Sequence, residues 1–109
     1  MKGANLNTQG YVVLTYRFDK EGRRYNAYCE ELGTATFGRS LDEAKTRLKE
    51  AIILHLNTLE DLGERERFFR ENNIKFLKAR PRTVNMRIPT KGDFFIQAGI
   101  QRIPALSKN

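Results

Sequence analysis

The sequence contains one cysteine, Cys29, and no run of apolar residues long enough to cross a membrane. A single cysteine excludes an internal disulfide, which is typical of proteins from a reducing cell interior. A membrane-spanning helix needs roughly 18 or more consecutive apolar residues. Residues 1–7 (MKGANLN) also lack the apolar core of a signal peptide. We therefore expect a cytoplasmic protein that does not enter a membrane.

Signatures of a chemical site are missing as well. With Cys29 and one histidine, His55, no residue pair has zinc-ligand spacing, and no glycine-rich loop joins a strand to a helix. A Cys29–His55 nucleophile pair is conceivable where helix packs on strand, but buried structural cysteine and histidine are much commoner. The carboxylates are each explained by a turn, a strand edge or a helix start. We expect no catalytic residue, no metal and no cofactor.

Positive charge is abundant and uneven. The 109 residues carry a net charge of +7. Residues 1–62 hold nine Lys/Arg and nine Asp/Glu, whereas residues 63–109 hold eleven Lys/Arg and four Asp/Glu. Such asymmetry suggests a basic half that binds nucleic acid or an acidic partner. A merely solvated basic tail is the alternative, and both interpretations stay open.

The first half of the chain predicts an antiparallel meander. Tyr11–Phe18 is rich in β-branched and aromatic residues and predicts a strand. Asp19–Gly22 predicts a turn, and the alternation over Tyr25–Glu30 predicts a second strand. Thr34–Phe37 predicts a third, short strand.

A capping box then predicts a long helix. The Ser40 hydroxyl can bond the amide three residues on, Glu43 can reach back, and Gly63 marks the stop. At about 100° per residue, one apolar stripe emerges, which should cover the sheet. Ile53 and Leu54 point elsewhere and suggest a contact with another subunit. The stripe contains Leu41, Ala44, Leu48, Ala51, Ile52, His55, Leu56, Leu59 and Leu62.

The second half is less regular. Glu64–Asn72 predicts a short helix, Ile74–Leu77 a fourth strand and Thr83–Ile88 a possible fifth. The expected class is α+β: a meander of three to four antiparallel strands packed by one long helix, with a short second helix and an irregular C-terminal extension. We expect residues 1–78 to form the domain and the basic extension, residues 79–109, to pack on it.

A basic segment, residues 65–91, is the best candidate for a nucleic-acid site. Basic side chains neutralise phosphates and exposed aromatics stack on bases. For Phe68, Phe69 and Phe76, which interleave with the basic residues, the core interpretation is favoured. The candidate nucleic-acid-binding residues are Arg65, Arg67, Arg70, Lys78, Arg80, Arg82 and Arg87.

The stretch from Tyr11 to Phe76 resembles the HicB-like antitoxin family. The resemblance rests on YVVLTYRFDKEG, then YNAYCEELGTATFG, then SLDEAKTRLKEAIILHLNTLEDLG, and it covers about two thirds of the chain. It implies a compact sheet crossed by one long helix, described as a partial ribonuclease-H-like fold. Glu31-Leu32 is followed directly by Gly33, without the family's usual Pro-Gly. Residues 79–109 show neither a helix-turn-helix nor a ribbon-helix-helix pattern.

The resemblance implies a non-catalytic protein that acts by protein–protein contact. Typical members cover the active site of a small RNA-cleaving HicA toxin, so a HicA-like toxin is the implied partner, and we also expect a homodimer or higher oligomer. The alternative is a DNA- or RNA-binding or transcription-regulating protein that uses residues 65–91. The candidate partner surface comprises Tyr16, Phe18, Tyr28, Phe37, Ile53 and Leu54.

Overall fold

The computed structural model of the chain describes residues 10–82, 87–89 and 94–103. Within these ranges the chain forms strands and two helices in an order that begins with three strands. The elements are β1 (Gly10–Glu21), β2 (Arg24–Cys29), β3 (Thr34–Gly38), α1 (Leu41–Asp61), α2 (Arg65–Glu71), β4 (Phe76–Leu77), β5 (Arg87–Pro89) and β6 (Phe94–Ile103).

The described strands form one antiparallel sheet in the order β3-β2-β1-β6-β5, with β4 paired to the start of β1. The long helix α1 packs on β2 and β3, and α2 contacts α1. The α+β class is therefore confirmed. The expectation of an irregular C-terminal extension is wrong for residues 94–103, because β6 pairs along almost the whole of β1, from Gly10 to Asp19.

The β1–β2 hairpin is longer than its sequence suggested. The turn predicted at residues 19–22 is displaced, because β1 continues to Glu21, which pairs with Arg24. Only Gly22 and Arg23 remain in the loop, and Gly22 has a φ of 63°. Two-residue hairpin loops favour a positive φ at the first position, which glycine adopts without strain.

Helix α1 begins and ends as predicted. The Glu43 amide donates to Ser40 Oγ at 3.0 Å, and Glu43 Oε1 accepts from the Arg39 amide at 2.6 Å. Gly63, with a φ of 70°, follows the last turn. The predicted apolar stripe is wrong at Leu62, which is 68% exposed because it is the C-cap residue, beyond the last buried position of the helix at Leu59. The buried face comprises Ala44, Leu48, Ile52, Leu56 and Leu59.

The core lies between α1 and the facing side of the sheet. Alternate residues of β1 are buried there, as period-two strand geometry requires. Ala27, Cys29 and Leu32 join them from β2 and the loop that follows it. The Tyr16 ring lies against Gly99 of β6, and a Cβ atom at that position would overlap the ring. The buried residues of β1 are Val12, Leu14, Tyr16 and Phe18.

The elements predicted after α1 match the structure only in part. The short helix spans Arg65–Glu71 and ends near Asn73, whose positive φ of 57° reverses the chain. The predicted fourth strand shortens to Phe76–Leu77, since Ile74 instead enters the core. Of the predicted fifth strand, residues 83–86 lie outside the described part, and residues 87–89 form β5.

Glu31 accepts hydrogen bonds from an edge of β1 at a point where none of the described strands pairs with that edge. One edge of β1 pairs with β4 at residues 11–12 and with β2 from Tyr16 onward, which leaves Thr15 between them. Glu31 Oε1 accepts from the Thr15 amide at 2.7 Å, and Oε2 accepts from Thr15 Oγ1 at 2.8 Å. The Glu30 amide donates to the Thr15 carbonyl at 2.9 Å. Glu31 thus supplies the acceptor that a neighbouring strand would otherwise provide.

Neither of the described helices combines the length and the apolar composition that a membrane crossing requires.

Candidate functional site

Cys29 and His55 both occupy packed environments. The Cys29 thiol is buried and lies 4.0 Å from Glu31 Oε1. Burial raises its pKa from 9.0 to about 11, with the Glu31 and Glu30 charges adding to the rise. A nucleophilic cysteine needs the opposite shift. His55 Nδ1 lies 3.2 Å from Thr34 Oγ1, and its ring packs edge-on against Phe68 at 5.5 Å.

We expect the free energy of unfolding to fall as the pH rises from about 9 to about 11. In that window the thiol ionises in the unfolded chain but stays protonated in the folded chain, which favours unfolding. One pKa unit corresponds to about 1.4 kcal/mol, so a loss on the order of 1–2 kcal/mol is expected from Cys29.

Urea denaturation across this pH range checks the expectation, with Cys29→Ala as the matched control. The variant should lose less stability than the wild type. Tyr16, whose pKa is raised to about 12 mainly by burial, acts at the upper end of the range in both proteins. Equal losses in both proteins would contradict the assignment to Cys29.

No three His, Cys, Asp or Glu side chains converge as metal ligands within residues 10–82, 87–89 and 94–103.

Some basic side chains of residues 65–91 contact other side chains of the protein and do not form an open surface. Contrary to expectation, Arg65 is not an exposed site residue. Its side chain is only 12% exposed and forms a salt bridge with Glu60 at 3.1 Å. Its guanidinium also lies 4.9 Å from the ring centroid of Phe76. Arg67 pairs with Glu64 on the same helix.

None of the three phenylalanine rings of the basic segment is exposed. Phe69 is buried, and Phe68 and Phe76 pack partly buried against the core, which confirms the core interpretation of the three rings. Arg80 lies 5.9 Å from the centroid of the Tyr11 ring. Arg87 lies on β5. The exposed basic residues of the segment include Arg70, Lys75, Lys78, Arg80 and Arg82.

The candidate partner surface divides among three places. Tyr16 and Phe18 lie in the core, 7% and 1% exposed, so their assignment to a contact surface is wrong. The reason is register: they point toward α1, whereas Arg17 and its partner Tyr28 point away. Ile53 and Leu54, on the outer side of α1, are exposed as predicted.

Tyr28 and Phe37 lie on the side of the sheet that α1 does not cover. We call this the helix-free face. Directly paired residues of antiparallel strands share a face, so the pairing registers define its members. The helix-free face includes Tyr11, Val13, Thr15, Arg17, Asp19 and Glu21 of β1, Arg24, Asn26 and Tyr28 of β2, Ala35 and Phe37 of β3, Leu77 of β4, and Ile96, Ala98, Ile100 and Arg102 of β6.

The middle of strand β6, residues 96–100, places its aliphatic side chains on the side without a helix, whereas Phe95 and Ile103 at its two ends face the core. Ile96, Ala98 and Ile100 face away from α1, and Ile100 pairs directly with Val13. Gln97 and Gln101, which point to the helix side, are only partly buried. A strand normally turns its apolar residues toward the covered face. The central part of the helix-free face is therefore more apolar than an ordinary solvated sheet face.

A second surface, which the sequence patterns did not reveal, lies at the turn end of the β1–β2 hairpin. A cavity of about 360 Å³ there joins the hairpin, the end of β3 and the first turns of α1. Four arginines from separate segments line it. No periodic or spacing signal links residues 23, 24, 39 and 47, and their convergence arises from the fold alone.

Comparisons of the chain with family models, with curated proteins and with solved structures find no match.

Proposed function

We propose that this chain is a non-catalytic, antitoxin-type binding protein that acts by protein–protein contact through its helix-free face. The observation that carries the proposal is the inverted pattern in the middle of β6, where the Ile96, Ala98 and Ile100 side chains lie on the uncovered side. Together with Val13 and Tyr28 they form an apolar centre, and such a centre with a polar rim is the usual anatomy of a protein interface. The partner implied by the HicB-like resemblance is a small RNA-cleaving toxin.

The toxin of a typical HicB-like pair is basic, and charge on this face suits such a partner better than the net charge of +7 suggests. Arg17 pairs with Glu30 at 3.4 Å, Arg24 pairs with Glu21 at 3.2 Å, and Asp19 accepts from Asn26 at 2.9 Å. Much of the excess positive charge lies elsewhere, at the hairpin end and in residues 65–82. Because like charges across an interface oppose association, a nearly neutral face is the surface that a basic partner tolerates best.

Replacing the Val13–Ile100 pair by a charged pair tests the proposal. Val13→Lys with Ile100→Glu keeps an attractive cross-strand pair, because the two residues face each other, but it removes the apolar centre. We expect the affinity for a HicA-like toxin from the same genome to fall by about 30-fold or more, the scale of a central interface residue. Isothermal titration calorimetry gives the dissociation constants.

Leu54→Lys is the matched control, because Leu54 is 68% exposed on the opposite side of the molecule. It should bind the toxin within about twofold of wild type, since surface changes outside an interface are nearly neutral. Circular dichroism and thermal midpoints establish that each variant is folded. Wild-type affinity in the charged-pair variant, or an equal loss in Leu54→Lys, would place the contact elsewhere. The expected homo-oligomer, suggested by Ile53 and Leu54, stays a prediction.

A further inference from the structure

The cavity at the hairpin end has a strongly one-sided charge. The residues that line it include four arginines, Arg23, Arg24, Arg39 and Arg47, and one acidic residue, Glu43. Arg23 belongs to the hairpin loop, Arg24 to the start of β2, and Arg39 to the connection before α1. Such an excess of cations gives this end of the molecule a positive potential that attracts anions.

The carboxylates near the cavity already accept hydrogen bonds or form ion pairs within the protein. Glu43 accepts from the Arg39 amide at 2.6 Å and from Arg47 at 3.3 Å, and that backbone hydrogen bond is the main reason why its pKa is lowered. Arg24 pairs with Glu21 at 3.2 Å on the rim. Arg23 and Arg39 make no ion pair with any residue that the structure describes, so two exposed guanidiniums remain to bind an anion.

An exposed aromatic ring borders the same cavity. Phe37, on edge strand β3, is 51% exposed, although most large apolar side chains of the described chain are buried or partly buried. The Arg24 guanidinium lies 4.9 Å from its ring centroid, which holds a cation beside a flat apolar surface. A ring presented to solvent beside arginines is the combination that stacks a base while the phosphates are neutralised.

We propose that this cavity binds single-stranded nucleic acid, with Arg23 and Arg39 on backbone phosphates and Phe37 stacked on an unpaired base. The volume of about 360 Å³ is at the small end of ligand pockets, which suits one nucleotide. A duplex keeps its bases stacked on each other and offers none to Phe37. An acidic peptide would satisfy the arginines but would leave the exposed ring without a role.

Fluorescence anisotropy of labelled oligouridine and oligothymidine, each about ten nucleotides long, tests the proposal with the full chain. Arg23→Gln with Arg39→Gln should weaken binding of the strand by about tenfold or more at low salt. It should also reduce the slope of log affinity against log salt by about 1.4, because each phosphate contact with a single strand contributes about 0.7. Phe37→Ala should weaken binding by about tenfold, whereas Phe37→Tyr should retain it.

Arg80→Gln with Arg82→Gln is the charge-matched control, because both residues are exposed in the other basic region. It should change the affinity by about threefold or less, which long-range charge alone accounts for. The proposal is overturned if this control weakens binding as much as the Arg23/Arg39 variant, or if Phe37→Ala binds like wild type. It is equally overturned if polyglutamate displaces the oligonucleotide as effectively as unlabelled oligouridine does. The toxin affinity of the Arg23/Arg39 variant, measured in parallel, reports on the helix-free face independently, because neither residue belongs to that face.

Discussion

Replacing Phe18 with alanine is expected to lower the free energy of unfolding by about 4 kcal/mol. The ring is 1% exposed, and it stacks on Phe95 with centroids 5.1 Å apart. Tyr16 contacts it edge-on at 6.4 Å. Truncation would remove this buried surface and leave a cavity between α1 and the sheet, where rigid neighbours cannot collapse. Urea denaturation monitored by circular dichroism measures the loss.

Phe37→Ala is the matched control for this result. The same chemical change at a ring that is 51% exposed should alter the free energy of unfolding by about 0.5 kcal/mol or less. The pair separates a core phenylalanine from a surface one, although sequence patterns placed both on one contact surface. Similar stability losses at the two positions would contradict the assigned register of β1.

Glu31→Ala is expected to cost about 2 kcal/mol, the second largest effect. The substitution removes both acceptors of the Thr15 amide and hydroxyl, at 2.7 and 2.8 Å, in a partly buried part of the sheet. A backbone amide left there without its charged acceptor incurs a desolvation cost. Thermal and urea unfolding of the purified variant provide the measurement.

Glu31→Gln is the control, because one amide oxygen still accepts from the Thr15 amide. We expect it to lose about half as much stability as Glu31→Ala. A double-mutant cycle with Thr15→Ala isolates the hydroxyl contact, since interacting residues give a non-additive sum. Additive losses in the cycle would mean that the hydroxyl contact contributes nothing, and wild-type stability in Glu31→Ala would rule out the bridging role.

Elements with strong local signals were predictable from the sequence. The Ser40 hydroxyl and Glu43 define the start of α1 within one turn, and Gly63 defines its stop, because caps depend on neighbours in the chain. The alternation of β-branched and aromatic residues in the first strands is a signal that also depends only on neighbours in the chain. These signals sufficed for the fold class and for the buried face of α1, apart from Leu62 at its end.

Strand β6 could not be recognised because its pattern depends on contacts far along the chain. Helix α1 lies over β2 and β3 and leaves Gln97 and Gln101 of β6 partly exposed. Ile96, Ala98 and Ile100 in the middle of β6 therefore lie on the opposite side, and Gly99 accommodates the ring of Tyr16 instead of carrying a side chain. A strand that is covered unevenly loses the simple alternation by which strands are recognised.

The two candidate sites also depend on tertiary structure. The density of positive charge along the chain predicted a site in residues 65–91. Arg65 is nevertheless largely buried, because it forms a salt bridge with Glu60 and packs on Phe76. The arginines of the hairpin-end cavity are up to 24 positions apart in sequence, from Arg23 to Arg47, and meet only when α1 packs against the hairpin. Sequence-local charge counts cannot register such convergence.

We propose that the chain acts by stoichiometric protein contact and not by catalysis. The most direct test is a titration of the RNA-cleaving activity of a HicA-like toxin from the same genome with increasing amounts of the purified chain. We expect cleavage to fall linearly and to end at a fixed ratio of chain to toxin, independent of incubation time. Undiminished cleavage at about tenfold excess of a folded chain, or inactivation at substoichiometric amounts that deepens with time, would contradict it.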